Sequence, residues 1–73
     1  MKCEWNYNKF SYLHHTIKGN YQLVVRESVI YGEDMCMWVV YHCDKVIAEG
    51  EVMGWKLARR LCEVVAETHM EEN

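Results

Sequence analysis

Residues 35–48, Met-Cys-Met-Trp-Val-Val-Tyr-His-Cys-Asp-Lys-Val-Ile-Ala, contain the strongest strand pattern in the chain. Aromatic and β-branched residues, which are typical of strands, are concentrated in residues 38–42. Successive side chains of a strand point to opposite faces, so odd and even positions form two separate sets. Both sets are apolar, with Met37, Val39 and Tyr41 in one and Cys36, Trp38 and Val40 in the other. A sheet built on this strand therefore has an apolar side chain set on each face.

The residues on either side of this stretch predict further strands of an antiparallel sheet. Residues 21–28 alternate after a tight-turn signal at Gly19-Asn20. Residues 46–52 return as the last strand after a turn at Asp44-Lys45. Together with the central strand, these segments predict a meander of antiparallel strands.

Two segments of the chain are less regular. Residues 29–34 are expected to form a connection between strands. Residues 1–20 are the less certain N-terminal segment, because Cys3, Trp5 and Tyr7 alternate but polar residues interrupt the pattern. This segment either adds a strand or folds back over the sheet.

From residue 54 onwards the apolar residues recur with a helical period. The apolar stripe is about one helical face wide and comprises Leu57, Ala58, Leu61, Cys62, Val64 and Val65. The face expected to pack on the sheet comprises Ala58, Leu61, Cys62 and Val65. Gly54 occupies the predicted N-cap position. The helix is predicted over residues 54–68, and the polar residues 69–73 are expected to fray.

The predicted fold is therefore α+β, a single domain of residues 1–73 with the element order β-β-β-α. An antiparallel sheet of three or four strands spans residues 21–52, and one C-terminal helix packs on one face of it. A chain of 73 residues is near the lower limit for a domain that folds on a hydrophobic core alone. Because one helix covers one face, the second apolar face requires another explanation.

The large apolar side chains outnumber those that a single helix can cover, which predicts a protein-binding surface. Tryptophan, tyrosine and methionine are enriched in the cores of interfaces. The predicted partner-binding residues are Trp5, Tyr7, Met37, Trp38, Val39 and Tyr41. We expect a homodimer, since pairing of two copies is the simplest use of such a face. A one-residue register shift would exchange the two sets of the central strand, so the pattern does not decide which set faces the helix.

The composition excludes several classes of protein. The chain is 51% hydrophobic and contains no proline, which excludes a disordered chain. No apolar run approaches the roughly 18 residues of a membrane span, so no membrane association is expected. The four cysteines form no CxxC pair and no export signal follows Met1. We therefore expect reduced thiols and a cytoplasmic location.

Neither a metal site nor a catalytic motif is predicted. The four histidines and four cysteines lack close pairs such as C-x₂₋₄-C or H-x₃₋₅-H, so we expect no metal and no cofactor. Cys43 adjoins His42, but neighbours on a strand face apart. A phosphate-binding glycine loop, a serine nucleophile motif and paired carboxylates are missing, so we expect no enzyme activity.

Nucleic-acid binding is the alternative function. Lys56, Arg59 and Arg60 form a basic group in the first half of the predicted helix. Double-stranded RNA-binding domains share a β-β-β-α core and use basic residues at that helix. Three cations compare poorly with the roughly eight phosphate contacts of tight binders, and the net charge is −3. We therefore expect a protein partner, with nucleic acid second.

The strand and turn residues also match a pattern of small proteins encoded by phages and prophages. The matching residues within 12–66 are Tyr21, Leu23, Val25, Trp38, Val40, Asp44, Lys45, Ala48, Gly50, Val52 and Ala58. The chain resembles these proteins in fold, except that Gly54 replaces their usual serine or threonine helix cap. The resemblance implies an accessory role through protein–protein interaction in a bacterial host cell. Because some anti-CRISPR proteins look similar, the resemblance also implies that this role can include inhibition of a host defence complex.

Overall fold

The computed structural model describes residues 2–28 and 34–72, which form one antiparallel sheet and one helix. The elements are β1 Asn6–Asn8, β2 Leu13–Lys18, β3 Tyr21–Glu27, β4 Met35–His42, β5 Lys45–Met53 and α1 Trp55–Glu72. The spatial order of the strands is their order in the chain, and each strand pairs with the next. The predicted α+β class and the C-terminal helix are confirmed.

The N-terminal segment explains why the sheet has five strands rather than three or four. β1 pairs with β2, and β2 pairs with β3, so the sheet begins well before residue 21. It ends at Met53, one residue after the predicted boundary. The predicted connection over residues 29–34 lies, apart from Asp34, outside the described residues.

Two-residue turns join β2 to β3 and β4 to β5. Gly19 adopts a left-handed φ of 59°, which confirms the Gly19-Asn20 turn. The second turn is formed by Cys43 and Asp44, with φ of 51° and 66°, one residue earlier than predicted. Two consecutive left-handed residues match the twist of a hairpin, and aspartate tolerates this region.

The register of β4 decides which of its two faces is covered by α1. Val40 pairs with Leu23 on one side and Ala48 on the other, and all three lie on the helix side. Cys36 and Val40 are buried, whereas Met37 is 51% exposed on the opposite face. The buried core consists of Tyr21, Leu23, Val25, Cys36, Val40, Ala58, Cys62 and Ala66.

The helix presents small residues to the sheet. Its buried residues are Ala58, Cys62 and Ala66, spaced four apart on one face, with Val65 packed beside them. The predicted stripe is therefore rotated by roughly a quarter of a turn from the observed one. Small side chains let the helix approach closely, and the sheet supplies the large core residues.

The predicted packing face is confirmed at Ala58, Cys62 and Val65, but three other residues of the predicted apolar stripe lie at its margin or outside it. Leu57 and Val64 are 50% and 41% exposed, and Leu61 is half-buried at the margin of the helix. The predicted stripe consisted mainly of large apolar side chains. The observed helix instead packs through small residues and the partly buried Arg59. Truncation of Leu61 is consequently expected to cost less than truncation of a sheet residue such as Leu23.

The predicted fraying of the C-terminal tail is wrong as far as Glu72, where the helix ends. His69 lies on the sheet side of the last turns, and its Nδ1 is 2.6 Å from the hydroxyl oxygen of Tyr21. Because Tyr21 is buried, this hydrogen bond ties the end of the helix to β3.

Two glycines are required by the way the helix and sheet meet. Gly54 has a left-handed φ of 91°, and its carbonyl oxygen accepts the first helical hydrogen bond from the Ala58 amide. Serine or threonine would be strained in this conformation, which explains the departure from the usual cap. At Gly50, a Cβ atom would lie 2.9 Å from Cζ2 of Trp38. Trp38 therefore packs directly over the backbone of β5.

Candidate interaction surface

The side of the sheet turned away from α1 is the open face, and three cross-strand rows define it. The outer row contains Leu13, Arg26, Met37 and Glu51. The middle row contains His15, Val24, Val39 and Glu49. The third row contains Ile17, Gln22, Tyr41 and Val46. Each row crosses β2, β3, β4 and β5 in that order.

Large apolar side chains are accessible on the open face. Ile17 is 59% exposed, and Met37 and Val46 are each 51% exposed. Val39 and Tyr41 are half-buried between their neighbours. The helix contacts β3, β4 and β5 only from the other side of the sheet. The open face is therefore an apolar patch of the kind found at protein interfaces.

The structure divides the six predicted partner-binding residues between the two faces. Met37, Val39 and Tyr41 share the open face, as predicted for one set of β4. Trp38 packs against the core on the helix side, over Gly50. Of the two alternatives left open for β4, the structure places the set with Met37 on the open face and the set with Trp38 under α1, so Trp38 is not part of the open face.

Trp5 and Tyr7 also lie on the helix side. Trp5 packs against the core, and its Nε1 donates a hydrogen bond to Oε2 of Glu63 at 2.9 Å. The Tyr7 ring lies 4.5 Å from the ring of His14, opposite it on β2. The N-terminal segment thus extends the sheet and packs beside α1, and it does not cover the open face.

Ile17, Val24 and Val46 are open-face residues that the sequence reading did not single out. Each one alternates with buried or polar neighbours in its strand. The available signal was the alternation in β2 and β5, but it identifies a shared face only when the pairing register is known.

A second group of side chains surrounds Arg59, which was predicted to belong to the basic group of the nucleic-acid alternative. Its Nε and Nη2 donate to Nδ1 of His14 at 3.0 and 2.6 Å. Its guanidinium carbon lies 5.2 Å and 4.6 Å from the ring centroids of Trp5 and Trp55. These contacts combine a charge-assisted hydrogen bond with cation–π packing, so Arg59 joins α1 to β2 and the N-terminal segment.

The contact with Arg59 determines the protonation of His14, which is only 3% exposed. A guanidinium has donors only, so Nδ1 must accept and the neutral ring carries its proton on Nε2. Burial lowers the pKa of His14, and the nearby positive charge of Arg59 lowers it further. Nε2 lies 3.2 Å from Oε2 of Glu27, and this carboxylate opposes part of the lowering of the pKa.

The position of Arg59 weakens the nucleic-acid alternative. Burial lowers the pKa of Arg59, and its charge is directed at His14 rather than at solvent. Lys56 and Arg60 remain exposed, with Nη1 of Arg60 3.6 Å from a carboxylate oxygen of Glu63. Two exposed cations provide less electrostatic attraction for phosphates than the predicted group of three.

The cysteines differ strongly in accessibility. Burial raises the pKa of the Cys62 thiol to about 12 and also raises the pKa of Cys36. Cys43 is exposed, and its Sγ lies 3.7 Å from Nε2 of His42. The expectation that these neighbours face apart is wrong, because Cys43 lies in the turn and not in the strand. All four cysteines are unbridged.

Across residues 2–28 and 34–72, no group of three or more histidine, cysteine or acidic side chains has the geometry of a metal site. No helix in the described part of the chain is long and apolar enough to cross a membrane. No protein-family model matches the chain, and neither a curated protein nor a solved structure shows a significant match.

Proposed function

We propose that this protein acts by binding another protein through the open face of its sheet, and that it is not an enzyme. The observation that carries the proposal is the accessible apolar surface of Ile17, Met37 and Val46 on a sheet whose other face is packed. Exposed apolar area of this kind is costly in water and is removed when a partner covers it.

The finer part of the proposal is a phage-type accessory role in a bacterial cell, including inhibition of a host defence complex. It is supported by the sequence resemblance to small β-β-β-α phage proteins and by the presence of a sheet face free for a partner. Fold alone does not determine function, so this role needs its own test.

Photo-crosslinking in living bacteria tests binding through the open face. Tyr41 is replaced by the photoreactive amino acid benzoylphenylalanine, and the covalent adducts formed under ultraviolet light are measured by mass spectrometry. The control is the same replacement at Phe10, which is 86% exposed in the turn between β1 and β2. A protein adduct from position 41 that is much weaker from position 10 is expected. Equal adducts, or none from position 41, would contradict the proposal.

Plaque formation tests the defence role. Phage are plated on a strain with an active CRISPR system, with and without expression of this protein. We expect more plaques with the wild-type protein and no increase with Val39→Asp, which places a charge on the open face. An unchanged plaque count with the wild-type protein would remove the defence role and leave the crosslinking result to decide binding.

A further inference from the structure

We infer that the partner of the open face is a second copy of this chain, stacked face to face about a two-fold axis parallel to the strands, between β3 and β4. This inference rests on the proposed function, since it names the occupant of the same surface. It follows from how charged and apolar residues are distributed along the three rows.

The charges on the open face are separated from one side of the sheet to the other. Glu49 and Glu51 lie on β5, the outer strand, and both are exposed. Arg26 lies on β3 and the imidazole of His15 on β2. The groove beside His15 is lined by both Lys2 and Glu4, so the basic character of that side rests on Arg26 and His15. Apolar residues lie between the acidic and the basic side.

Rotation about a two-fold axis parallel to the strands stacks each row on the same row of the second copy and reverses the order of the strands. As a result β2 faces β5 of the second copy, and β3 faces its β4. In the middle row, His15 then faces Glu49 of the second copy, and Val24 faces its Val39. In the third row, Ile17 faces Val46 of the second copy. In the outer row, Arg26 faces Met37 and is one strand away from Glu51 of the second copy. The contacts of Val24 with Val39 and of Ile17 with Val46 are apolar, and His15 meets Glu49. Gln22 faces Tyr41, and Leu13 faces Glu51 of the second copy, which also lies diagonally across from Arg26.

The other two-fold axis that stacks the faces lies across the strands and gives poorer complementarity. It places β5 over β5 of the second copy, so Glu49 faces Glu49. Like charges at an interface oppose association, whereas complementary charges favour one register over others. Both axes keep the strands of the stacked sheets aligned within about 30°, so charge complementarity decides between them.

The size of the patch predicts the strength of the dimer. Four strands about 4.8 Å apart and six residues rising about 3.3 Å each give a footprint of roughly 400 Å² per copy. The roughly 800 Å² over both copies is below the about 1,200 Å² at which stable specific interfaces begin and belongs to the weak, transient class. We therefore expect a dissociation constant well above micromolar. The dimer is therefore concentration-dependent, and its charged contacts weaken as salt increases.

A charge-exchange experiment tests the axis by sedimentation equilibrium. The first variant, Glu49→Lys with Glu51→Lys, makes both sides of the face basic. The second variant, His15→Glu with Arg26→Glu, makes both sides acidic. Each variant alone should dissociate at least about tenfold more readily than the wild type, and an equimolar mixture should recover the dimer. Circular dichroism checks that each variant is folded.

The control matched to the Glu49/Glu51 variant changes two glutamates away from the open face. Glu71→Lys with Glu72→Lys alters the net charge equally at the exposed end of α1 and should leave the dimer unchanged. The inference is overturned if both open-face variants still form the dimer, or if mixing the two variants does not restore it. A wild type that stays monomeric at millimolar concentration also overturns it.

The crosslinking experiment separates failure of this inference from failure of the proposed function. An adduct from position 41 with twice the mass of the chain supports the second copy. An adduct with a different protein, together with a monomeric wild type, overturns the second copy and leaves protein binding intact. The absence of any adduct from position 41 removes both.

Discussion

The two faces of β4 carry side chains of similar polarity, yet their environments differ completely. On the helix side, Cys36 and Val40 are buried against Ala58 and the other small residues of α1. On the open side, Met37 is half exposed and Val39 is half-buried without a covering layer. The difference shows that hydrophobicity alone does not identify a core residue in a two-layer domain. Position relative to the single helix does.

The largest expected effect comes from placing a charge on each face of β4 in turn. Val40→Asp buries an unpaired carboxylate under α1 and should unfold the domain. Val39→Asp exposes its charge on the open face and should leave a folded protein. Circular dichroism and thermal melting measure both. If Val39→Asp also unfolds the protein, both faces of β4 are required for folding, and the distinction between a core face and an open face is wrong.

Truncation on β3 should reproduce the same contrast with a smaller effect. Leu23 is fully buried, and Leu23→Ala is expected to lower the free energy of unfolding by about 2–5 kcal/mol. Its neighbour Val24 points to the open face, and Val24→Ala should cost less than about 1 kcal/mol. Urea denaturation compares the two, and equal losses would contradict the assignment of faces.

An added methyl group on β5 should have an intermediate effect. Gly50→Ala places a Cβ 2.9 Å from the Trp38 ring, so the ring or the strand must shift. We expect a loss of about 1–3 kcal/mol from this overpacking. Glu49→Ala on the open face is the control and should change stability little. The test is again urea denaturation, and a neutral Gly50→Ala would indicate that Trp38 is not packed tightly.

The smallest expected effect is a pH dependence that distinguishes two adjacent histidines. The pKa of buried His14 is lowered from 6.5, so below about that pH the unfolded chain binds a proton that the folded chain resists. Its contribution to stability is therefore complete above pH 6.5 and is lost as the pH falls. His14→Gln should flatten the stability profile between pH 8 and 5. His15→Gln, on the open face, should retain the pH dependence of the wild type. Identical stability profiles for the two variants would contradict the role of His14.

The fold class follows from patterns that are local in sequence. The alternation in residues 35–42, the glycine turn at Gly19 and the helical period after Gly54 each specify an element through backbone geometry that depends on near neighbours. The strands β1 and β2 were harder to recognise because polar residues break their alternation. β2 forms because pairing with β3 satisfies its backbone groups, and β1 forms because it pairs with β2; both are tertiary effects.

What the sequence determined by itself was the existence of two apolar sets on β4 and of one helix to cover them. The tertiary structure decided which set is core, because the register of β3, β4 and β5 placed Val40 under the helix and Val39 outside it. It also rotated the helix so that small residues and Arg59 meet the sheet. These choices depend on the fit of distant side chains, which no local pattern encodes.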